Sequence, residues 1–336
     1  MHKIRSLVAV ATLCAVGAAW AQQAPADEPG WAKGRPKTDT AMKMAPVPAF
    51  PIPTPADQLP TKKLKVPPGF KVETWASGVL DARELREGPK GTIIVSTLFV
   101  GNKVYAFPPG KHEPKVIIDK LPMATGIAFD SKGNLYVGTN TKIYRMNLDG
   151  TNVETLAQGV RNTDGFDFDP KTGDLWFTDN GRDWMSEELP NDKLNHLTKV
   201  GQHFGYPFCH QGNIPDPEFG WGKSCDDYVK PAALLGPHAG SLGLKFYTGK
   251  MFPAKYQGAM FIALHGPWNR TKKYNGVYVA WPDGKGGARV EPFMTGFVEN
   301  NAYLGRPVDF LVMKDGSLLV SDDHAGAIYR VSYGGK

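Results

Sequence analysis

The chain has 336 residues, with 39 Lys and Arg against 33 Asp and Glu, a formal charge of +6 at neutral pH. The excess is mild and scattered, with no basic run, which argues against a nucleic-acid partner. Past the N terminus no stretch is apolar enough to make a stable membrane span.

Residues 1–21 read as a secretory signal. His2, Lys3 and Arg5 precede an apolar run from Leu7 to Ala19 that is too short to anchor, and Ala19-Trp20-Ala21 is an A-x-A cleavage site before Gln22. Leu13 before Cys14 is too bulky for a typical lipoprotein site, so the expected product is soluble and periplasmic or secreted. Cleavage removes Cys14 and leaves Cys209 and Cys225. An even pair in an exported chain favours a disulfide. A metal or redox pair is the alternative, although no second Cys/His pair stands at zinc-like spacing. Residues 22–65 are rich in proline, from Pro25 to Pro60, and show neither strand alternation nor helical period. They read as an extended, partly polyproline leader laid on a domain formed by 66–336.

From Pro68 onward one phrase recurs: a small apolar strand, a Lys/Asp/Gly turn, and a strand of alternating β-formers. It can be followed through about 85–119, 120–160, 161–230, 231–296 and 300–334. Ser131-Lys132-Gly133-Asn134 and Lys314-Asp315-Gly316 are hairpin chemistry, and the strands alternate with period two. Strand-built repeats of this length predict an all-β fold, a β-propeller, with five blade repeats. The strand around Phe70–Ser77 is placed to join the final blade and close the ring, removing open edges.

The polar chemistry gathers in loops between strands, where binding groups ride on a rigid scaffold. Arg161-Asn162 is either a blade-entry turn or a channel-facing pair, its guanidinium fork suited to a quinone oxygen or carboxylate. Thr178-Asp179-Asn180-Gly181-Arg182-Asp183-Trp184 contains an Asn-Gly turn, with Glu187, Glu188 and Asp192 close behind. That oxygen density is calcium-like, although the spacing is not an EF-hand's, and a plain acidic surface loop is the alternative. His203 and His210, in and after Gly201–Pro207, read as structural. His265 follows an apolar strand, at a blade edge, as either a hydrogen-bonded blade histidine or a channel-facing group. Asn269-Arg270-Thr271 matches a glycosylation acceptor, a chance match. Arg306 precedes the last repeat, as a cofactor-facing cation or a surface ion-pair partner. Ser321-Asp322-Asp323-His324 is either a closing family signature or a turn without chemistry.

Arg161 to Gly212, with the loops at 264–270 and 305–309, resembles the soluble pyrroloquinoline-quinone (PQQ) sugar dehydrogenases of the glucose/sorbosone branch. The resemblance spans roughly 66–334 and is strongest from 160 onward. It implies a six-bladed family type, against the five repeats counted here. It also implies that Arg161, Asn162 and Arg306 bind PQQ, and that the main-chain carbonyls of Gly181 and Arg182 hold the Ca2+ seated on it. Relatives carry proline where this chain has Arg182, a change that a carbonyl ligand tolerates. The family's base histidine lies on a blade between repeats two and three, which this chain lacks. His265 is the first substitute as catalytic base and His238 the second. The implied function is oxidation of an aldose or sorbosone-type sugar, with electrons leaving to a cytochrome or similar carrier. A lactonase-like metal hydrolase and a non-catalytic propeller are the competing readings.

Overall fold

A computed structural model describes residues 54–98, 100–120, 126–129, 135–138, 157–183 and 185–335. The signal peptide, most of the proline-rich leader, Ser131–Asn134 and Trp184 lie outside the described residues. The chain folds as a β-propeller whose blades follow the repeats. Blade 1 holds Ala82–Glu87, Ile93–Thr97, Lys103–Phe107 and Lys115–Asp119. Blade 2 is described through Gly126–Phe129 and Leu135–Gly138, and blade 3 comprises Phe166–Phe168, Leu175–Asp179, Asn191–Leu197 and Ala233–Pro237. Blade 4 runs Ser241–Phe246, Met260–Leu264, Gly276–Pro282 and Ala288–Met294. Blade 5 runs Pro307–Val312, Leu318–Asp322 and Ala327–Tyr333.

Blade 5 takes its fourth strand from the chain's start. Phe70–Ser77 pairs antiparallel with Ala327–Tyr333, Phe70 opposite Tyr333, as the repeat pattern predicts. One boundary differs. Ala233–Pro237 is the outer strand of blade 3, paired with Asn191–Leu197, and not the start of the fourth repeat. A long loop with the short strands Gln202–His203, Cys209–His210 and Ile214–Pro215 stands between those two strands, so the period that marks the other blades is broken there.

Most packing lies in the wedges between blades, as expected for repeats that cannot bury their faces alone. Trp75, Leu85, Phe107, Leu319 and Ile328 fill the wedge between blades 5 and 1. Trp176, Leu194, Phe246 and Ile262 fill that between blades 3 and 4. An aromatic cluster with Phe261, Phe293 and Phe310 joins blades 4 and 5 and takes in Leu59 and Leu64, so the end of the leader is docked there. The inner strands are tied by carboxylates that accept main-chain N–H groups of the next blade: Asp309 from Leu85 at 3.0 Å, Glu84 from Ile127 at 2.6 Å and Asp167 from Phe246 at 2.9 Å. Each satisfies an inner-edge donor that no further strand can reach. Gly165 lets blades 3 and 4 close together, because a Cβ there would lie 2.2 Å from the Leu242 carbonyl oxygen.

The expected disulfide joins Cys209 to Cys225, 16 residues apart, and ties down the loop between the third and fourth strands of blade 3. Cys209→Ser with Cys225→Ser should lower stability by about 3 kcal/mol on the chain-entropy account. The check is a urea midpoint shift at unchanged slope. An unaltered midpoint would show that the loop is held by its other bonds alone.

Candidate active site

The loops at one end of blades 3, 4 and 5 enclose a cavity of about 240 Å³. Arg161, Asn162 and Gly181 reach it from blade 3, His238, His265 and Asn269 from around blade 4, and Arg306 from blade 5. Of the seven site candidates singled out in the sequence, all but Arg182 thus meet at one place. Asp164 and Leu242 are shared with an axial cavity of about 270 Å³ between the inner strands.

The Arg161-Asn162 turn is fixed from below, both main-chain N–H groups donating to Oδ1 of Asp179, at 3.0 and 2.9 Å. Asp179 is buried and lies 2.9 Å from Nζ of the buried Lys193. The Arg161 guanidinium donates to Asp183 at 2.7 Å, so Asp183 is its counter-charge. Asp164 accepts from the side-chain amides of Asn162 and Asn180 at 3.4 and 3.1 Å. Gly181 donates its N–H to Asp192 at 2.8 Å.

Arg182 departs from the rest. Its guanidinium turns away to Asp216 at 2.5 Å and Glu218 at 3.0 Å. Only its main chain is left for the site. Nor do the acidic residues behind it converge. Glu187 accepts from the Thr271 N–H at 2.8 Å, Glu188 pairs with Arg270 at 2.5 Å, and Asp192 takes the N–H groups of Gly181 and Ser241. Among the described residues no group of three or more His, Cys, Asp and Glu is arranged to hold a metal ion. The calcium-like density of the sequence is therefore used up by loop-to-loop bonds, because each carboxylate finds a donor nearer than any shared centre.

His265 forms the most consequential pair. Its Nε2 lies 2.7 Å from Asp323 Oδ1, and Asp323 Oδ2 takes Arg83 at 3.0 Å. Burial would raise the Asp323 carboxyl, but His265 and Arg83 outweigh it and hold it well below the usual carboxylate range. An ionised Asp323 makes Nε2 the protonated nitrogen and leaves Nδ1 with its lone pair. Burial first, and the Arg306 guanidinium second, push the imidazole down to about 4, so His265 is neutral at physiological pH. Arg306 donates from Nε to the His265 carbonyl at 3.0 Å and from Nη2 to that of Gly266 at 2.8 Å, and it stacks on Tyr303. Asp323, read from the sequence as part of a closing signature or a plain turn, is thus central, and Arg83 was not anticipated at all.

His238 is committed at both nitrogens, with Nε2 2.7 Å from the Ser186 carbonyl and Nδ1 3.4 Å from the Asn269 amide. Of the two histidines the sequence offers as a base, His265 keeps one ring nitrogen without a hydrogen bond among the described residues. Asn269 also donates to Asp183 at 3.2 Å; it is 1% exposed, which rules out glycosylation, and its Oδ1 is buried without a partner among the described residues. His203 and His210 lie away from the cavity, His210 bonded to Asp216 at 2.6 Å.

Residues 140–266 match the glucose/sorbosone dehydrogenase family, and the likeness read from the loops stands. An uncharacterized protein of Borreliella burgdorferi is 35% identical over 198 residues, covering 57% of this chain and 52% of its own. One from Synechocystis is 29% identical over 136 residues, 36% of this chain and 31% of its own. The chain thus spans about half and a third of these curated relatives. Among solved structures, the PQQ domain of a pyranose dehydrogenase from Coprinopsis cinerea, in its holo form, superposes with TM-score 0.62 at 18% identity, over 80% of this chain and 97% of that one. A family AA12 carbohydrate-active enzyme of Trichoderma reesei gives 0.65 at 16%, over 81% and 98%. At such identities these two establish the fold. No helix among the described residues is long and apolar enough to cross a membrane.

Proposed function

We propose that this chain is a periplasmic or secreted, PQQ- and Ca2+-dependent dehydrogenase that oxidises an aldose or sorbosone-type sugar. The observation that carries the proposal is the meeting of Arg161 and Arg306, from blades 3 and 5, at one cavity beside a neutral, carboxylate-oriented imidazole. The residues present suit a planar polyanion. Two guanidiniums face the cavity, Arg306 Nη1 makes no hydrogen bond among the described residues, and Asn269 Oδ1 is buried and unpartnered.

Arg161, Asn162 and Arg306 would hold PQQ, which when bound supplies a two-electron acceptor. Gly181 and Arg182 would offer main-chain carbonyls to Ca2+, a hard ion that prefers oxygen. That reading is supported by the Arg182 side chain being engaged elsewhere. His265 Nδ1 takes the proton of the sugar hydroxyl, while Asp323 fixes the tautomer and ring orientation from the far nitrogen. Arg83 in turn holds Asp323. Electrons then leave to a cytochrome or a comparable carrier.

The test is reconstitution of the full chain with PQQ and Ca2+, following the quinone absorbance as aldoses are added. Binding with sugar-dependent bleaching is expected. Absence of PQQ binding would sink the proposal, and binding without reduction would assign a non-catalytic propeller instead.

A further inference from the structure

The loop 198–232 joins the third and fourth strands of blade 3, and none of its residues lines the cavity. It is nevertheless bonded to the chain on both sides of the Arg161–Asp183 ion pair. On the Arg161 side it holds the segment that enters the turn. Phe204 donates its N–H to the Gln158 carbonyl at 2.8 Å, and Tyr206 donates to that of Gly159 at 2.9 Å. The Phe204 carbonyl accepts from Nζ of Lys193 at 3.3 Å. Lys193 is in turn the cation of Asp179, which takes both N–H groups of the Arg161-Asn162 turn. On the Asp183 side the joint is Arg182. Its neighbours Gly181 and Asp183 both line the cavity, while its guanidinium reaches outward to Asp216 at 2.5 Å and Glu218 at 3.0 Å.

Asp216 is a fully bonded hub. The carboxylate is buried, its Oδ1 takes the N–H groups of Glu218 and Phe219 at 2.7 and 2.8 Å, and its Oδ2 takes His210 at 2.6 Å as well as Arg182. Its own N–H donates to the Phe208 carbonyl at 2.9 Å. Burial would raise the carboxyl, but these donors outweigh it and bring it down to about 2, so Asp216 is an anion at neutral pH. The Cys209–Cys225 disulfide closes the chain around it. A buried network with every member satisfied has one arrangement, and a group bonded to it inherits that arrangement.

We propose that Arg182 and Asp216 are positioning residues: the disulfide-closed loop is a brace that fixes the 181–183 main chain, and through Asp183 the Arg161 guanidinium, in the orientation that the cavity's anionic ligand requires. The link from brace to cavity is the 2.7 Å bond between Asp183 Oδ2 and Arg161 Nη2. The proposal rests on the dehydrogenase reading for the identity of that ligand, PQQ, and on the geometry alone for the brace.

The test uses the full disulfide-bonded chain with Arg182→Met, which removes the tether and leaves Asp216 with His210 and its two N–H donors. The first readout needs no cofactor. It is water exchange of the Arg161 guanidinium N–H signals in 15N-labelled protein, identified by their loss in Arg161→Met. Arg182→Met should speed this exchange by on the order of tenfold and leave the amides of Met260–Leu264, in blade 4, unchanged. The second readout is a double-mutant cycle on PQQ affinity, measured without added Ca2+. Arg182→Met alone should raise Kd by on the order of tenfold, the usual cost of removing a residue that orients a binding group. In an Arg161→Met background it should add nothing, because a brace acts only through what it holds. Arg182→Lys, whose ammonium cannot hold both Asp216 and Glu218, should give intermediate values of each, and it carries the test if Arg182→Met does not fold. Unchanged Arg161 exchange in the folded variant overturns the proposal, and so does an equal loss of PQQ affinity in both backgrounds. Faster exchange in a chain whose wild type binds no PQQ would keep the brace and sink the dehydrogenase reading. PQQ binding and sugar turnover in the wild type, with Arg161 exchange untouched by the substitution, would do the reverse.

Discussion

His265→Ala should lower kcat by roughly 10²–10⁴-fold, the usual contribution of a positioned general base, while leaving PQQ affinity within a few-fold. The distinguishing measurement is the pH profile. The imidazole is pushed down to about 4 by burial and by Arg306. It therefore stays an acceptor through the whole physiological range, and kcat/KM should hold level well below pH 6, falling only toward pH 4. Asp323 acts on His265 in the opposite sense, as an anion that favours the imidazolium. Asp323→Asn should thus lower kcat through the lost tautomer control and move the acid limb to still lower pH. The same ionisation bears on stability. The folded pKa of His265 lies below its unfolded value of about 6.5, so the unfolded chain binds more protons between the two. The contribution is present above pH 6.5 and is lost as pH falls toward 4. A wild-type acid limb near 6.5 would show that His265 is solvated and is not the buried base described.

How far the sequence carried this site is best judged residue by residue. The blades were legible because their turns are local chemistry, such as Lys314-Asp315-Gly316, with Gly316 at φ +87. The pairing of the first strand with the last blade was legible because Phe70–Ser77 is a strand without a neighbour in sequence. Arg161, Asn162, Gly181, His265 and Arg306 could be placed because each sits at a strand end, which the period marks. What could not be read was whatever depends on side-chain direction. The Arg182 guanidinium, which the carbonyl reading leaves unused, finds Asp216, 34 positions on. Asp323 meets His265 across 58 positions and Arg83 across 240. Neither pairing leaves a trace in spacing, because the ring brings distant strand ends together around its axis. Glu187 and Glu188 misled for the same reason, since local oxygen density does not reveal that Thr271 and Arg270 face it from another blade.

Arg306→Met should be the most damaging change for cofactor binding, because this guanidinium does two things that no other residue duplicates. Its Nε and Nη2 bridge the carbonyls of His265 and Gly266 and so set the turn that carries the base, while the rest of the fork faces the cavity. Truncating a desolvated, hydrogen-bonded charge generally costs about 2–5 kcal/mol. By that measure the apparent Kd for PQQ should rise by roughly 30- to several-thousand-fold. Arg306→Lys should recover little, since one ammonium cannot span two carbonyls and still present a planar fork. Arg161→Met should cost less, because Asp183 already neutralises much of Arg161 and retains the Asn269 amide when it goes. A second readout separates electrostatics from damage to the fold. Arg306 holds the His265 pKa down, so its removal should shift the acid limb upward, opposite to the shift expected for Asp323→Asn. Wild-type PQQ affinity in a folded Arg306→Met variant would remove the paired-guanidinium site on which the functional reading stands.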